Sequence, residues 1–109
     1  MILLVGKILI EGKAMNYDLP VDYTLLSISE KKAVREQYIK EQNGKCWFCR
    51  CSLDKEPPQN VLSKPINLKL FPKGFLNHPI HLQHNHDTGL TEGAVHAYCN
   101  AVLWEHYGR

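Results

Sequence analysis

The chain has 109 residues, 44% of them hydrophobic and 22% charged, with a formal net charge of +2. That length holds one domain, and the balance of residue types excludes a globally disordered chain. The small positive charge is compatible with a polyanionic partner but does not identify one.

The N-terminal run Met1-Ile2-Leu3-Leu4-Val5 is apolar, yet Lys7, Glu11 and Lys13 interrupt the next eight residues. It has no basic leader or small-residue cleavage site, and it is too short to cross a bilayer. Residues 2–10 therefore read as a strand within an N-terminal extension over 1–25, and no membrane association is expected. The cytoplasm is the expected compartment, where reduced cysteines are free to bind metal. From Pro20 to Leu26 the chain reads as a connection. Ser27-Ile28-Ser29-Glu30 has the spacing of a capping box, which predicts a helix over 30–42. Ala33, Val34, Tyr38 and Ile39 recur at helical spacing, while Lys31, Lys32, Arg35 and Lys40 read as a solvated face. Asn43-Gly44 then stops the helix.

Residues 52–79 hold five of the six prolines, so a looping insertion is expected there. Ile66-Asn67-Leu68-Lys69-Leu70 alternates apolar and polar residues and predicts one short strand inside it. A further strand is predicted over 80–86, with Ile80, Leu82, His84 and His86 on one face and His81, Gln83 and Asn85 on the other. Asp87-Thr88-Gly89 signals a turn, a return strand is expected over 93–96, and a helix over 98–106 completes a β-hairpin followed by a helix.

Two short metal-binding motifs bracket that hairpin. Cys46 and Cys49 are separated by two residues, as are His96 and Cys99, and two such pairs supply the four ligands of a closed tetrahedral zinc site. Cys51 forms only the less common C-x-C spacing and reads as a non-ligand. Between the pairs lies His81-Leu82-Gln83-His84-Asn85-His86-Asp87, and Asn100 follows the second pair directly. Hydrolysis of a phosphodiester needs a base for water, a cation to stabilise developing charge and a group that holds the phosphate. Imidazole side chains, whose ordinary range is near neutrality, with a side-chain amide nearby, suit that work.

The ordered combination of Cys46–Cys49, His81 through Gly89, and Gly93 through Asn100 resembles the HNH nucleases, more narrowly the phage recombination endonuclease VII group. The similarity covers roughly residues 30–107. It implies an α+β fold with a zinc-stapled ββα-metal domain over 26–109, carrying an N-terminal helix and the insertion. It implies a divalent-metal-dependent DNA endonuclease acting in a bacterial or phage-infected cytosol. By the same resemblance His84 is the general base, Asn100 holds a catalytic Mg²⁺ or Mn²⁺, and His86 binds or protonates phosphate. The DNA would be double-stranded or branched. A monomer would nick, and a homodimer, formed through the edge of the N-terminal strand, would cut both strands.

Three positions depart from the family pattern. The family usually has Cys where this chain has His96, and because neutral imidazole also binds zinc the change weakens the motif match more than the chemistry. It has an acid where this chain has Gln83, so the catalytic cation would rest on Asn100, the Gln83 oxygen, substrate phosphate and water. It has a basic residue where this chain has Glu92. Helical spacing from Asn100 places Leu103, Trp104 and Tyr107 on its side and turns Glu105 away. Trp47, Phe48, Tyr98, Val102 and Trp104 read as packing around the zinc and hairpin, and His106 as a partner of the helix dipole. His78 and His81 could extend the polar cluster, although His78, beside Pro79, is expected to face solvent. The competing reading is a non-catalytic zinc-binding module that contacts nucleic acid or protein.

Overall fold

The computed structural model describes residues 3–4, 7–10 and 14–108 and has an α+β architecture. Strands β1 (Leu3–Leu4), β2 (Lys7–Ile10) and β3 (Ala14–Tyr17) form an antiparallel meander in chain order. A 3₁₀ turn over Tyr23–Leu25 leads into helix α1 (Ile28–Glu41). The insertion contains a single helical turn, α2 (Gln59–Leu62), and a 3₁₀ turn over Leu68–Leu70. Strands β4 (Ile80–His84) and β5 (Thr91–His96) form an antiparallel hairpin, which runs straight into helix α3 (Ala97–Tyr107). No helix among the described residues is long and apolar enough to cross a membrane.

Helix α1 starts where its capping box dictates. The Ser27 hydroxyl accepts from the Glu30 backbone N–H, and the Glu30 carboxylate accepts from that of Ser27. At its far end Asn43 and Gly44 take positive φ, and the Gly44 N–H reaches back to the Ile39 carbonyl. Its buried face, Val34 and Tyr38, packs into a core with Leu82, Ala94 and Val95 of the hairpin and Val102 and Leu103 of α3. Gln42 fastens the end of the helix to β5. Its side-chain amide accepts from the Ala94 N–H and donates to the Ala94 carbonyl, each at 2.9 Å.

Several expectations are corrected. The alternation over 66–70 is not a strand: the Asn67 side chain accepts from the Lys69 N–H at 3.0 Å and nucleates the 3₁₀ turn instead, with no neighbouring strand to pair among the described residues. Strand β4 stops at His84, two residues short, because the Asn85 side chain accepts from the Asp87 and Thr88 N–H groups and starts the turn. Burial on β4 does not follow one face. Leu82 and Gln83 are both buried, and the pairing register shifts between Gln83 and His84. The return strand begins two residues earlier than expected, at Thr91, and α1 and α3 each begin slightly earlier as well. Of the strand read over 2–10, residues 2, 5 and 6 lie outside the described residues, and the remainder forms β1 and β2.

Packing continues across residue 25. Tyr17 belongs to the core, and its backbone exchanges two hydrogen bonds with the Gln37 side chain. Val21 and Tyr23 strap the hairpin: the Val21 carbonyl accepts from the Thr91 N–H at 2.9 Å, and the Tyr23 N–H donates to the Gly89 carbonyl at 2.8 Å. The buried Thr91 hydroxyl joins the strap to α1, lying 3.0 Å from the Val21 N–H and 2.8 Å from the Tyr38 hydroxyl.

The tightest approach in this frame is at Gly93, where an added Cβ would lie 2.7 Å from Trp47 Cγ and 2.7 Å from Gln42 Oε1. Both neighbours are held by hydrogen bonds to Ala94, so neither yields cheaply. Gly93→Ala is expected to lower the unfolding free energy by about 1–3 kcal/mol, the usual cost of overpacking. Denaturant titration checks this, and an unchanged midpoint would contradict it.

Candidate metal centre and adjoining cleft

Cys46, Cys49, His96 and Cys99 converge, with one donor atom from each lying within 4.8 Å of all the others. The first pair sits on a tight knuckle: the Cys46 N–H donates to the Cys51 carbonyl, the Arg50 N–H to the Cys46 carbonyl, and Arg50 takes φ of 67° to turn the chain. The Cys49 N–H points at Cys46 Sγ at 3.5 Å. The second pair straddles the junction of β5 and α3, with His96 as the helix N-cap and Cys99 in the first turn. His96 forms no side-chain cap because its ring faces the thiols instead.

The orientation of that ring fixes its chemistry. Nε2 lies 2.8 Å from the Ser52 carbonyl and 2.8 Å from that of Lys55, so two acceptors demand the proton there. Nδ1 then carries the lone pair, and it is 3.5 Å from Cys49 Sγ and 3.6 Å from Cys99 Sγ. Zn–S and Zn–N bonds of ordinary length meeting at a tetrahedral angle would put sulfur and nitrogen about 3.6 Å apart. The thiols themselves compete for ionisation. The hydrogen bond from Cys99 holds Cys46 down to about 4, the same bond and burial push Cys99 far above the ordinary thiol range, and burial raises Cys49 to about 11. Protein groups alone thus favour a single thiolate. A divalent cation supplies the charge needed for three, and this donor set suits zinc. Cys51 is exposed and stands outside the cluster.

Beside the metal centre lies a cleft of about 550 Å³. Gln83, His84, His86 and Asn100 all line it, together with His81, His78, Tyr23, Lys31 and Arg35. His84 is half-buried, and Tyr23 stacks face to face on its ring, with centroids 3.9 Å apart and planes 9° apart. The Lys31 ammonium lies 4.3 Å from the Tyr23 ring centroid, and the exposed His86 ring is 4.6 Å from that of His84. Burial first, then His86 and Lys31, hold His84 below the ordinary imidazole value, with Glu92 pulling weakly the other way. Its neutral, proton-accepting form therefore prevails at neutral pH.

Asn100 does not meet His84 in a direct hydrogen bond. Its Nδ2 lies 3.0 Å from Nδ1 of His81, so the amide nitrogen faces the imidazole and Oδ1 is left as the acceptor. Burial pushes His81 down, so its ring is neutral at neutral pH with one nitrogen bearing a lone pair, and acceptance from the Asn100 amide N–H orients Asn100. Gln83 is 1% exposed, and its amide nitrogen donates to the His84 carbonyl at 3.0 Å and to Glu92 at 3.3 Å. No Asp or Glu lines the cleft among the described residues.

Other expectations are revised. Trp104 shares the cleft with Asn100, but Leu103 and Tyr107 face a separate recess with Trp47, Phe48 and Arg50. One turn of helix is wide enough to divide residues that share a nominal side. Glu105 accepts from the Asn67 N–H, and His106 Nε2 lies 2.7 Å from the Pro65 carbonyl, so both brace the insertion against α3. His78 is exposed, as expected, but sits at the cleft. Nothing in the sequence marks Tyr23 as a site residue, and His81 reads there as an extension of the polar cluster, not as the partner that orients Asn100. Lys31 and Arg35, which the sequence assigns to a solvated face, belong to the cleft as well. For Lys31 a signal existed: at 100° per residue it lies only about 20° from Tyr38, on the buried side.

No family model matches the chain, and no curated protein or solved structure matches it.

Purified protein is expected to hold one zinc per chain by elemental analysis, retained in Cys51→Ser and lost in Cys99→Ser and His96→Ala. Because the thiols must lose protons to bind, the ion is expected to be released as pH falls. Zinc-free wild type would sink this assignment. In an NMR titration the His84 imidazole should have its midpoint below 6.5, and Lys31→Met should move it upward by removing one lowering charge. A wild-type midpoint at or above 6.5 would contradict the geometry.

Proposed function

We propose that the protein is a divalent-metal-dependent DNA endonuclease of the HNH type, stapled by a structural zinc at Cys46, Cys49, His96 and Cys99. The observation that carries this reading is the single cleft in which His84, His86, Gln83 and Asn100 share walls with two cations, Lys31 and Arg35. The hairpin of β4 and β5 running into α3 is the ββα order that the resemblance implies. Four ligands close the zinc shell, leaving no position there for substrate, so the chemistry belongs to the cleft.

In this mechanism Lys31 and Arg35 draw the phosphate backbone into the cleft. The neutral His84 ring, held by Tyr23, takes a proton from water as its oxygen bonds to phosphorus and the bond to the leaving sugar oxygen breaks. His86, exposed at the rim, binds the phosphate or returns a proton to the leaving oxygen. Asn100 Oδ1 would hold Mg²⁺ or Mn²⁺, with the Gln83 amide oxygen as the second protein donor. Such a cation, when bound, neutralises charge on the phosphoryl oxygens. Both donors are neutral, so the ion should bind weakly until DNA phosphate completes its shell. A single chain has one such cleft and would nick; cutting both strands would take a homodimer or two encounters.

The test is plasmid nicking with Mg²⁺ or Mn²⁺. Wild type should convert supercoiled to open-circular DNA, while His84→Ala and Asn100→Ala should each lose on the order of 10²-fold or more in rate, in line with removal of a general base or a charge-stabilising group. Full activity in His84→Ala would remove the base assignment. A wild type inert across metals, pH and DNA forms would favour a non-catalytic zinc-binding module.

A further inference from the structure

The insertion brings an aromatic wall to the cleft that the hydrolytic mechanism does not use. Phe71 and Phe75 pack against each other with centroids 4.7 Å apart, Phe71 meets the Trp104 ring edge-on at 5.5 Å, and Phe75 meets His81 edge-on at 4.6 Å. Phe71, Phe75 and Trp104 all line the same cleft as Lys31, Arg35 and Asn100. Trp104 remains 42% exposed there although it sits on the helix that carries Cys99 and Asn100. Leu70, beside them, is 50% exposed. A wall built only to cover core would not leave its largest ring half open to a cleft that also carries cations.

We propose that this wall is a stacking site for an unpaired nucleobase of the DNA strand whose phosphate lies against Lys31 and Arg35. The inference rests on the nuclease reading for the identity of the strand. Cations for phosphate beside a flat aromatic surface are the two elements from which single-strand binding sites are made. In a continuous duplex both faces of each base are covered by stacked neighbours, and only edges are offered in the grooves. A ring in the cleft can therefore stack only on a base that is unpaired or turned out of the helix. The cleft volume of about 550 Å³ falls in the range of sites that enclose a single small ligand, not a duplex. The insertion selects the DNA form, and the hairpin and α3 act on the adjacent phosphate.

The experiment measures binding of the zinc-loaded full chain to a fluorescent oligothymidine and to a duplex of the same length, by anisotropy at one salt concentration without added Mg²⁺ or Mn²⁺. Wild type should favour the single strand by on the order of tenfold, the effect of one base–aromatic stack. Trp104→Leu should remove that preference, Trp104→Phe should keep most of it, and Lys31→Met with Arg35→Met should weaken both DNA forms alike. Zinc content verifies that each variant is folded. Equal affinity of wild type for both forms, or a preference intact in Trp104→Leu, would overturn the stacking site. Protein that shows the preference but never cleaves would sink the nuclease reading and leave the stacking site standing; protein that cleaves without preference would do the reverse.

Discussion

His96 serves three elements at once. It is the last residue of β5, the N-cap of α3 and a donor to the thiol cluster, and its ring can do the last only because the Ser52 and Lys55 carbonyls fix where its proton lies. Any rotation of that ring would break two hydrogen bonds and withdraw Nδ1 from two sulfurs. The knuckle at Cys46–Cys49 is thereby tied to the hairpin, and the hairpin to the helix, at one point. Asn100 lies just beyond Cys99 on the same helical turn, so the position of the cleft relative to α3 is inherited from the metal centre.

A second tie comes from the short crossing segment between β3 and α1. Val21 to Tyr23 crosses the hairpin, joins Thr91 and Gly89 through backbone bonds, and sets the Tyr23 ring on His84. Gly89 makes this possible: a Cβ there would lie 3.2 Å from Asp22 Oδ1, and the backbone needs φ of 79°. The imidazole is thus held from one side by an aromatic face, while the hairpin that carries it is held from the other by α1 through Tyr38 and Thr91.

Much of this is legible in the chain because it rests on local rules. The capping box at Ser27, the stop at Asn43-Gly44, and the hairpin followed by a helix each depend on residues within a few positions of one another. The ligand set Cys46, Cys49, His96 and Cys99 is also readable, since two short spacings encode two half-sites. The remainder depends on distant partners or on bonds that patterns do not register. Asn67 turns an alternating run into a 3₁₀ turn by a side-chain bond to which periodicity is blind. His81 meets Asn100, and Tyr23 meets His84, across separations that no motif spans. The alternation of residues along β4 does not reveal that both sides of the strand are covered, so that neighbouring Leu82 and Gln83 are buried together.

The contact between Gln83 and Glu92 reaches beyond the present molecule. Gln83 is almost wholly enclosed, and its amide nitrogen lies 3.3 Å from the Glu92 carboxylate on the adjoining strand. An acid at position 83 would set two carboxylates against each other with little water to separate them, and one would have to keep its proton. Glu92 therefore opposes an ionised acid at 83. Neutralising or inverting position 92 first would remove that opposition, which makes the order of the two changes, and not only their sum, a property of this hairpin.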